Sequence, residues 1–347
     1  MLGTPKAIVW RILAGLYMAS GMDWIRHRGR VVILTYHRIV SDQMVRDEHI
    51  QPGMYVRVQS FEAQIAYLSS HFVVLPLEEL LRLWQTGRLD RRKSYCVITF
   101  DDGWQDNYRY AFPVLRKYRV QATIFLATDY VGTTHWFWPD RMAFLFGEAR
   151  KRMSGEDRRR ALVGLRREIS GIGEAAGFLA SYLESDPVDT DGLIEQCKNL
   201  SADVIQWFVA ALSQAFRIEI PDTRVLLNWN EVREMAAHGV TFGSHSCSHR
   251  LMTQIAPDEA KKELRNSWEA MLMQQIKPLP VFCYPNGNCN QDIKDLTRDS
   301  GYVAALGCDL GLEGRQPADL FSLKRISFHE GIASSTSLLT LTLSGFR

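Results

Sequence analysis

Two short polar segments combine residue types that bind metal ions and transfer protons. The first is Thr99-Phe100-Asp101-Asp102-Gly103, which places two adjacent carboxylates at the end of an apolar, β-branched run. Adjacent residues leaving a strand point in different directions, so one carboxylate can bind a cation while the other accepts a proton from water. A turn that only ends the strand and caps the next helix is the plain alternative.

The second segment is His245-Ser246-Cys247-Ser248-His249. Two imidazoles four residues apart lie on one face of a helical turn, close enough to hold one cation. Pairing on the protein surface is the plain alternative for such a motif on its own. Together with one carboxylate, the two histidines make a facial set of three ligands with positions left open for water and substrate. Cys247 lies between them and is expected to point away from the cation.

Both segments follow predicted strands. Short apolar runs that alternate with amphipathic, helix-length segments indicate a parallel sheet buried on both faces, and about seven such strands suggest a barrel. The predicted strands are Val31–Tyr36, Phe72–Pro76, Cys96–Phe100, Ala122–Ala127, Val240–Phe242, Val281–Tyr284 and Tyr302–Leu306. The predicted helices are Phe61–Ser69, Leu77–Trp84, Tyr108–Tyr118, Asn230–Ala237, Glu259–Gln275 and Ile293–Ser300. Ligands bind at the carboxyl edge of parallel sheets, which is where both polar segments fall.

Composition excludes several classes of protein. The chain has 347 residues, 46% of them hydrophobic and 23% charged, which is typical of a globular enzyme and not of a disordered or fibrous protein. Proteins that bind nucleic acid usually carry a marked excess of positive charge, and the net charge here is only +2. No nucleic-acid partner is therefore expected. The strand pattern fails between about 135 and 225, which is predicted to be a helical insertion in a barrel spanning 31–347.

Residues 1–30 are predicted to be a separate helical segment. The run ILAGLYMASGM follows Lys6 and Arg11 and loosely imitates a signal peptide, but Arg11 interrupts the apolar stretch. A helix that packs on the domain or rests on a membrane surface fits the pattern better. The expected location is therefore the cytoplasm or the cytoplasmic membrane surface, with peripheral membrane association, and secretion is the alternative.

The two polar motifs, in their order and context, resemble the first two signature motifs of the polysaccharide deacetylases (carbohydrate esterase family four), which share the NodB-homology domain. The resemblance extends from VITFDDGWQDNYRYAFPVLRKYRVQATIFLAT through LNWNEVREMAAHGVTFGSHSCSHRLM to VFCYPNGN. It implies a distorted (β/α)7 barrel and metal-dependent removal of acetyl from an N-acetylated glycan. The YHR segment at residues 36–38 is similar to the start of many exopolysaccharide-type members.

By this resemblance, Asp102, His245 and His249 hold a divalent cation and Asp101 is the general base. Zinc is the default for such ligands, and cobalt, nickel, iron or manganese would also fit. The backbone N–H of Tyr284, in Tyr284-Pro285-Asn286-Gly287, would stabilise the oxyanion.

The proton donor and the residues around the substrate are less well marked. His329 matches the family's general acid by order, and His37 is its rival. The family's Arg before the third-motif Pro is missing, and Arg325 is the candidate to replace it. The residues predicted to surround the substrate are Trp104, Trp138, Asp140, His37 and Arg325. His135, Trp138 and Asp140 are predicted to form one wall of the sugar-binding site.

The sequence thus predicts an N-deacetylase that acts on a bacterial surface polysaccharide or its lipid-linked precursor. The same site could cleave an O-acetyl ester or a non-sugar amide. A glycan-binding pseudoenzyme is the alternative from another class, although a pure binder has no need for a base beside a metal.

Overall fold

The computed structural model describes residues 5–20, 27–169, 177–184 and 188–344. These residues form two compact units. The first contains the described residues up to Ser41, then Pro52–Thr133, and the described residues from Arg224 onward. The second contains Asp42–Gln51 and the described part of Thr134–Thr223. The sequence prediction placed only residues 135–225 in the helical insertion and did not anticipate that residues 42–51 join it.

Ten strands are described, all in the first unit. They are β1 (Val31–Tyr36), β2 (Arg38–Val40), β3 (Tyr55–Arg57), β4 (Val73–Val74), β5 (Tyr95–Phe100), β6 (Thr123–Leu126), β7 (Thr241–Ser244), β8 (Val281–Cys283), β9 (Ala304–Leu310) and β10 (Leu323–Ser327). Each predicted strand is present, and its bounds shift by a few residues at most except at β9, which ends later. Strand β10, in which Leu323, Arg325 and Ile326 are buried, was not predicted from the sequence.

Seven parallel strands close into a barrel, which confirms the predicted (β/α)7 fold. The order is β1–β5–β6–β7–β8–β9–β10, and β10 pairs with β1 to complete the circle. One edge of β5 pairs with β1, and its other edge is shared by two strands. On that edge, β4 pairs with the first two residues of β5 and β6 pairs with the last two. This shared edge distorts the barrel. Strands β2 and β3 form a separate parallel pair.

Alternation along the strands determines which side chains meet inside the barrel. In β5, Tyr95 and Val97 pack in one cluster with residues of β1, β8 and β9, whereas Cys96 and Ile98 pack in another with helical residues. Successive strand side chains point to opposite faces. The positions that follow Val97 on the interior face are therefore Thr99 and Asp101.

The described helices begin with α1 (Pro5–Ala19), which packs against the last one, α15. In chain order they are α1, α2 (Asp42–Asp47), α3 (Val58–His71), α4 (Leu77–Thr86), α5 (Phe112–Tyr118), α6 (Trp138–Arg152), α7 (Gly155–Ile169), α8 (Gly177–Tyr182), α9 (Thr190–Cys197), α10 (Ala202–Phe216), α11 (Trp229–Ala237), α12 (Pro257–Met273), α13 (Gln291–Asp299), α14 (Glu330–Ala333) and α15 (Thr336–Leu343). A π-helical turn, Asn107–Ala111, precedes α5, so the predicted helix over 108–118 is regular only in its second half. None of the described helices combines the length and apolar composition needed to cross a bilayer.

The second unit has a hydrophobic core of its own. Helices α6, α7, α9 and α10 supply most of it, with residues such as Phe146, Leu165, Ile194 and Phe208 fully or almost fully buried. Members of the basic run form ion pairs with acids on the helix surface, such as Arg160 with Glu156 and Arg166 with Glu184. This agrees with the interpretation of the basic run as a solvated helix face.

Candidate active site

The predicted chemical residues of the first unit follow strands at one end of the barrel. Asp101 and Asp102 follow β5, and His245 follows β7 directly. His37 follows β1, and His329 comes two residues after β10. Because all seven strands are parallel, these positions share the carboxyl edge, where barrels place their active sites.

Asp102, His245 and His249 lie close enough to bind one ion. Oδ1 of Asp102 is 3.4 Å from Nε2 of His245 and 3.2 Å from Nε2 of His249. One ligand atom from each residue lies within 4.8 Å of the others. Asp102 and His245 are buried, whereas the His249 side chain is 26% exposed, so the cluster has one side open to solvent.

The second ring nitrogen of His245 fixes which tautomer faces the cluster. Nδ1 of His245 is 2.8 Å from the carbonyl oxygen of Cys283, so this nitrogen carries the proton and donates it. In the neutral ring, Nε2 keeps the lone pair, which points toward Asp102 and His249 and can bind a cation. This is the arrangement of metal-bound histidines, whose other ring N–H is held by a carbonyl or carboxylate.

The electrostatics of the cluster favour a cation. Burial alone would raise the pKa of Asp102, but its hydrogen bonds with His245 and His249 hold that pKa well below the ordinary value. Burial alone would lower the pKa of His245, but contact with Cys283, the hydrogen bond with Asp102 and the nearby charge of Asp101 raise it well above the ordinary value. A site whose field attracts a proton this strongly also stabilises a divalent cation.

A second group of ligating atoms overlaps the first. Asp101, His245 and Cys283 also bring one atom each within 4.8 Å of one another. Burial raises the pKa of the Cys283 thiol, which keeps it protonated and therefore a poor ligand. Asp101 is also engaged by an arginine, as described below. The set of Asp102, His245 and His249 is the better cation site.

Trp104 contacts the site in a way that the sequence did not suggest. Its indole Nε1–H donates to Oδ2 of Asp102 over 2.9 Å, and its ring lies 4.6 Å from the Arg38 guanidinium. Only 1% of the Trp104 surface is exposed. The prediction that Trp104 stacks on a sugar is therefore wrong, because the ring is buried beneath Arg38. It holds the Asp102 oxygen that faces away from the histidines.

Asp101 is held by Arg325. Nη1 of Arg325 donates to Oδ1 of Asp101 and Nη2 donates to Oδ2, each over 2.8 Å. Nε of Arg325 donates to the carbonyl of Gly307 over 2.9 Å. Burial alone would raise the pKa of Asp101, but Arg325 and His245 lower it below the ordinary value. Asp101 is thereby kept ionised, as a proton acceptor must be.

These contacts decide between two predictions made for Arg325. It replaces the missing family Arg as a tether of Asp101, since the guanidinium reaches both carboxylate oxygens. It is not a substrate-binding residue, because its side chain is 3% exposed and its donors are occupied by Asp101 and Gly307.

Two of the three residues in the Asp102, His245 and His249 cluster have an unusual backbone conformation. Asp102 has a φ of 74° and His249 a φ of 58°, both in the left-handed region. Such non-glycine conformations cost about 1 to 3 kcal/mol and persist where the surroundings enforce them, commonly at functional sites. Gly103 follows with a φ of 80°, and a Cβ there would lie 2.7 Å from Cδ2 of Leu126. Only glycine fits this turn.

Glu263 of α12 fixes the loop that carries both histidines. Its buried carboxylate accepts the backbone N–H groups of Cys247 and Ser248 over 2.7 and 2.9 Å. The Ser248 hydroxyl adds a bond of 2.6 Å. Cys247 Sγ lies 3.6 Å from the Glu263 carbonyl, away from the ligand atoms, as expected. No sequence pattern pointed to Glu263.

The two candidate proton donors differ in their surroundings. Nδ1 of His37 is shielded from solvent and has no hydrogen-bond partner among the described residues. Burial lowers the pKa of His37, although Asp102 and Asp101 are near enough to oppose the shift. His329 is half-buried at the N-terminus of α14, and its ring lies so close to Gly331 that a Cβ on residue 331 would be 3.2 Å from it. Which of them donates a proton remains a prediction.

The backbone N–H of Tyr284 does not stabilise an oxyanion in this structure. It donates to the carbonyl of Leu306 over 3.1 Å. The hydrogen bonds between β8 and β9 continue one residue past the end of β8. The Tyr284 N–H therefore already has a partner in the sheet. The prediction for Tyr284 is therefore wrong, and its side chain is buried as well.

The remaining predicted substrate residues belong to the second unit. Trp138 begins α6 and packs partly buried against the core of that unit, and Asp140 lies in the first turn of the same helix. His135 is exposed, and Phe137 is buried, as expected for a core residue. Contact of Trp138 and Asp140 with a sugar stays a prediction.

Comparison with known proteins supports the resemblance noted in the sequence. The family model described as "Polysaccharide deacetylase" matches residues 88–157 and 201–305, about half of the chain. YxkH of Bacillus subtilis is 22% identical over 320 residues, covering 90% of this chain and 77% of that protein. The poly-beta-1,6-N-acetyl-D-glucosamine N-deacetylase of Staphylococcus epidermidis is 32% identical over 117 residues, covering 31% of this chain and 39% of that protein.

Two solved structures share the fold. The Streptococcus pyogenes deacetylase PplD, in complex with acetate, aligns with a TM-score of 0.55 and 18% identity, covering 90% of this chain and 97% of that chain. IcaB from Ammonifex degensii aligns with a TM-score of 0.53 and 14% identity, covering 92% and 98%. At these identities the likeness concerns the barrel fold.

Proposed function

Because the chain belongs to the polysaccharide deacetylase family, we propose that it hydrolyses N-acetyl groups on amino sugars of a bacterial polysaccharide or of its lipid-linked precursor. A divalent cation takes part in the proposed reaction. The observation that carries the proposal is that two neighbouring carboxylates have different partners. Asp102 lies within 3.4 Å of the Nε2 atoms of His245 and His249, and Asp101 accepts hydrogen bonds from Arg325.

Asp102, His245 and His249 fit a cation because each presents one ligating atom to the others and the His245 tautomer is already set. When bound, the cation supplies a Lewis acid that polarises the amide carbonyl and lowers the pKa of water at the site. Zinc is the default for two imidazoles and one carboxylate, and cobalt, nickel, iron or manganese suits the same ligands.

Asp101 is the proposed general base. It takes a proton as water attacks the acetyl carbon, and Arg325 keeps it ionised and oriented for this step. The C–N bond then breaks, and the sugar amine leaves with a proton from His329 or His37. The products are acetate and a free amino sugar.

N-acetylated glucosamine polymers are the proposed substrate class. Support comes from the relative in Staphylococcus epidermidis, a poly-beta-1,6-N-acetyl-D-glucosamine N-deacetylase. This chain spans 39% of that relative, so the polymer and its linkage belong to the proposal and to its test.

Acetate release from defined acetylated substrates tests the proposal. The panel contains β-1,6-linked N-acetylglucosamine oligomers, other N-acetylated glycans, lipid-linked sugars and an O-acetylated sugar ester. We expect the N-acetylated glycans to respond, and Asp101→Asn to remove the activity while the protein still binds metal. Response of the ester alone would assign an esterase. Glycan binding without any acetate release, unchanged in Asp101→Asn, would assign a binding protein.

A further inference from the structure

The apolar stripe of helix α1 faces solvent. Val9, Ile12, Leu13 and Leu16 follow the spacing i, i+3, i+4 and i+7, which places them along one face of the helix. Their exposed fractions are 54, 58, 47 and 65%. Trp10 beside them is 39% exposed. In most helices of globular proteins this stripe faces the core.

The opposite side of α1 provides the contact with the first unit. Ala14 is fully buried there, and α1 packs against α15. Ala14 thus lies on the packed side of the helix, while Val9, Ile12, Leu13 and Leu16 lie on the exposed side. Contiguous exposed apolar residues of this kind mark a surface that binds another apolar body.

We propose that α1 lies in the interface of an anionic lipid bilayer, with the stripe of Val9, Ile12, Leu13 and Leu16 in the acyl boundary. Trp10 lies beside the stripe, and tryptophan is common at the membrane–water interface because its ring is apolar and its N–H can bond to the headgroups. A short amphipathic helix with apolar residues on one face binds membranes in this orientation.

Charge supports the choice of an anionic surface. Five basic residues and one acid give residues 1–30 a net charge of +4: Lys6, Arg11, Arg26, Arg28 and Arg30 against Asp23. The whole chain carries +2, so the rest of it is net negative by two. Arg28 and Arg30 are exposed. Positive charge is thus concentrated in the part of the sequence that carries the apolar stripe, as in segments that bind anionic headgroups.

A second copy of the chain is a poorer occupant of this surface. A stable protein interface takes about 20 to 30 residues from each partner, and the stripe with Trp10 offers five. Two copies meeting here would also bring two +4 segments together, and like charges oppose such an association. The proposal does not depend on the proposed deacetylase activity.

Sedimentation of the full chain with lipid vesicles tests the proposal. We expect binding to vesicles of phosphatidylcholine with about one third phosphatidylglycerol, weaker binding to pure phosphatidylcholine, and weaker binding at high salt. The double variant Leu13→Ser, Leu16→Ser should reduce partitioning about tenfold or more. Both side chains are exposed, so its melting temperature should match that of the unchanged protein.

The matched control is the double variant Leu272→Ser, Met273→Ser. These residues end α12 and are 50 and 77% exposed, so the change removes similar apolar surface from another helix. We expect it to bind vesicles like the unchanged protein. Equal loss in both variants, or no vesicle binding at all, would overturn the proposal. Self-association that disappears only in the α1 variant, without lipid binding, would assign the stripe to a second copy instead.

Discussion

Arg325 and Asp101 join β10 to the end of β5 through two parallel hydrogen bonds, each 2.8 Å long. The residues are 224 positions apart in the chain. Both are buried, and the guanidinium has a further bond to the Gly307 carbonyl. The carboxylate that we propose as the base is therefore oriented and ionised by a neighbour on the closing strand of the barrel.

Replacing Arg325 by Gln should lower kcat/KM for deacetylation about a hundredfold, within the usual contribution of a positioned base. Removal of the positive charge raises the pKa of Asp101. Because the base works in its ionised form, the acidic limb of the pH–rate profile should move to higher pH. Measuring the profile separates this effect from a simple loss of folded protein, and an unmoved acidic limb would contradict the role of Arg325.

The stability of the same variant provides a control. A buried carboxylate without its partner costs about 3 to 5 kcal/mol of the free energy of unfolding. The double variant Asp101→Asn, Arg325→Gln removes both charges and should recover much of that stability in denaturant titrations. It should nevertheless stay inactive, because it has no base. Recovery of activity in the double variant would show that Asp101 is not the base.

Trp104→Phe should weaken metal binding about 10- to 100-fold, the usual effect of losing a residue that orients a ligand. The indole N–H holds Oδ2 of Asp102 over 2.9 Å, and phenylalanine cannot donate. Competition with a chelating dye measures the affinity. Trp136→Phe is the matched control, since it also loses an indole bond to an oxygen, the Thr223 carbonyl, but in the second unit. Similar affinities in both variants would exclude a positioning role for Trp104.

Glu263→Gln should destabilise the loop that carries both histidines. The carboxylate accepts two backbone N–H groups and the Ser248 hydroxyl, and hydrogen bonds to a charged group contribute about 1.5 to 3 kcal/mol each. We expect a lower melting temperature and weaker metal binding. Glu259→Gln, on the same helix with a half-exposed side chain, should change neither. Full metal affinity in Glu263→Gln would mean that the loop holds its shape without the carboxylate.

Two histidine variants identify the proton donor. An amine leaving group needs a proton, whereas the phenolate of an aryl acetate does not. If His329 is the general acid, His329→Asn should lose activity on the N-acetylated glycan and keep it on the aryl ester. His37→Asn should then affect both substrates alike. The reverse pattern would assign the acid to His37.

Local patterns predicted the barrel and the proximity of Asp102, His245 and His249. The runs VVILTY and CVITF are strands because continuous β-branched residues suit a strand buried on both faces, and both polar motifs directly follow such strands. Their meeting at one edge follows from parallel topology. The closeness of Asp102, His245 and His249 could therefore be expected before any coordinates were known.

Contacts that depend on tertiary packing could not be predicted from the sequence. Trp104 was predicted to stack on a sugar because a tryptophan ring can pack either against a sugar or in a protein core. The position of Arg38 over the ring, which the sequence does not show, decides between these two roles. The Tyr284 N–H was assigned to the site because a turn follows it, but the pairing with Leu306 depends on how far β9 extends. Glu263 lies 16 residues from Cys247 on another element, where no motif marks it.

Metal dependence of acetate release is the most direct test of the proposed site. The protein is stripped with a chelator, and zinc or cobalt is then added back in steps while acetate release and bound metal are measured together. We expect activity to disappear on chelation and to return in proportion to bound metal, reaching its maximum at about one ion per chain. His245→Ala should neither bind the ion nor recover. Full acetate release from protein shown to be free of metal would contradict the proposed mechanism.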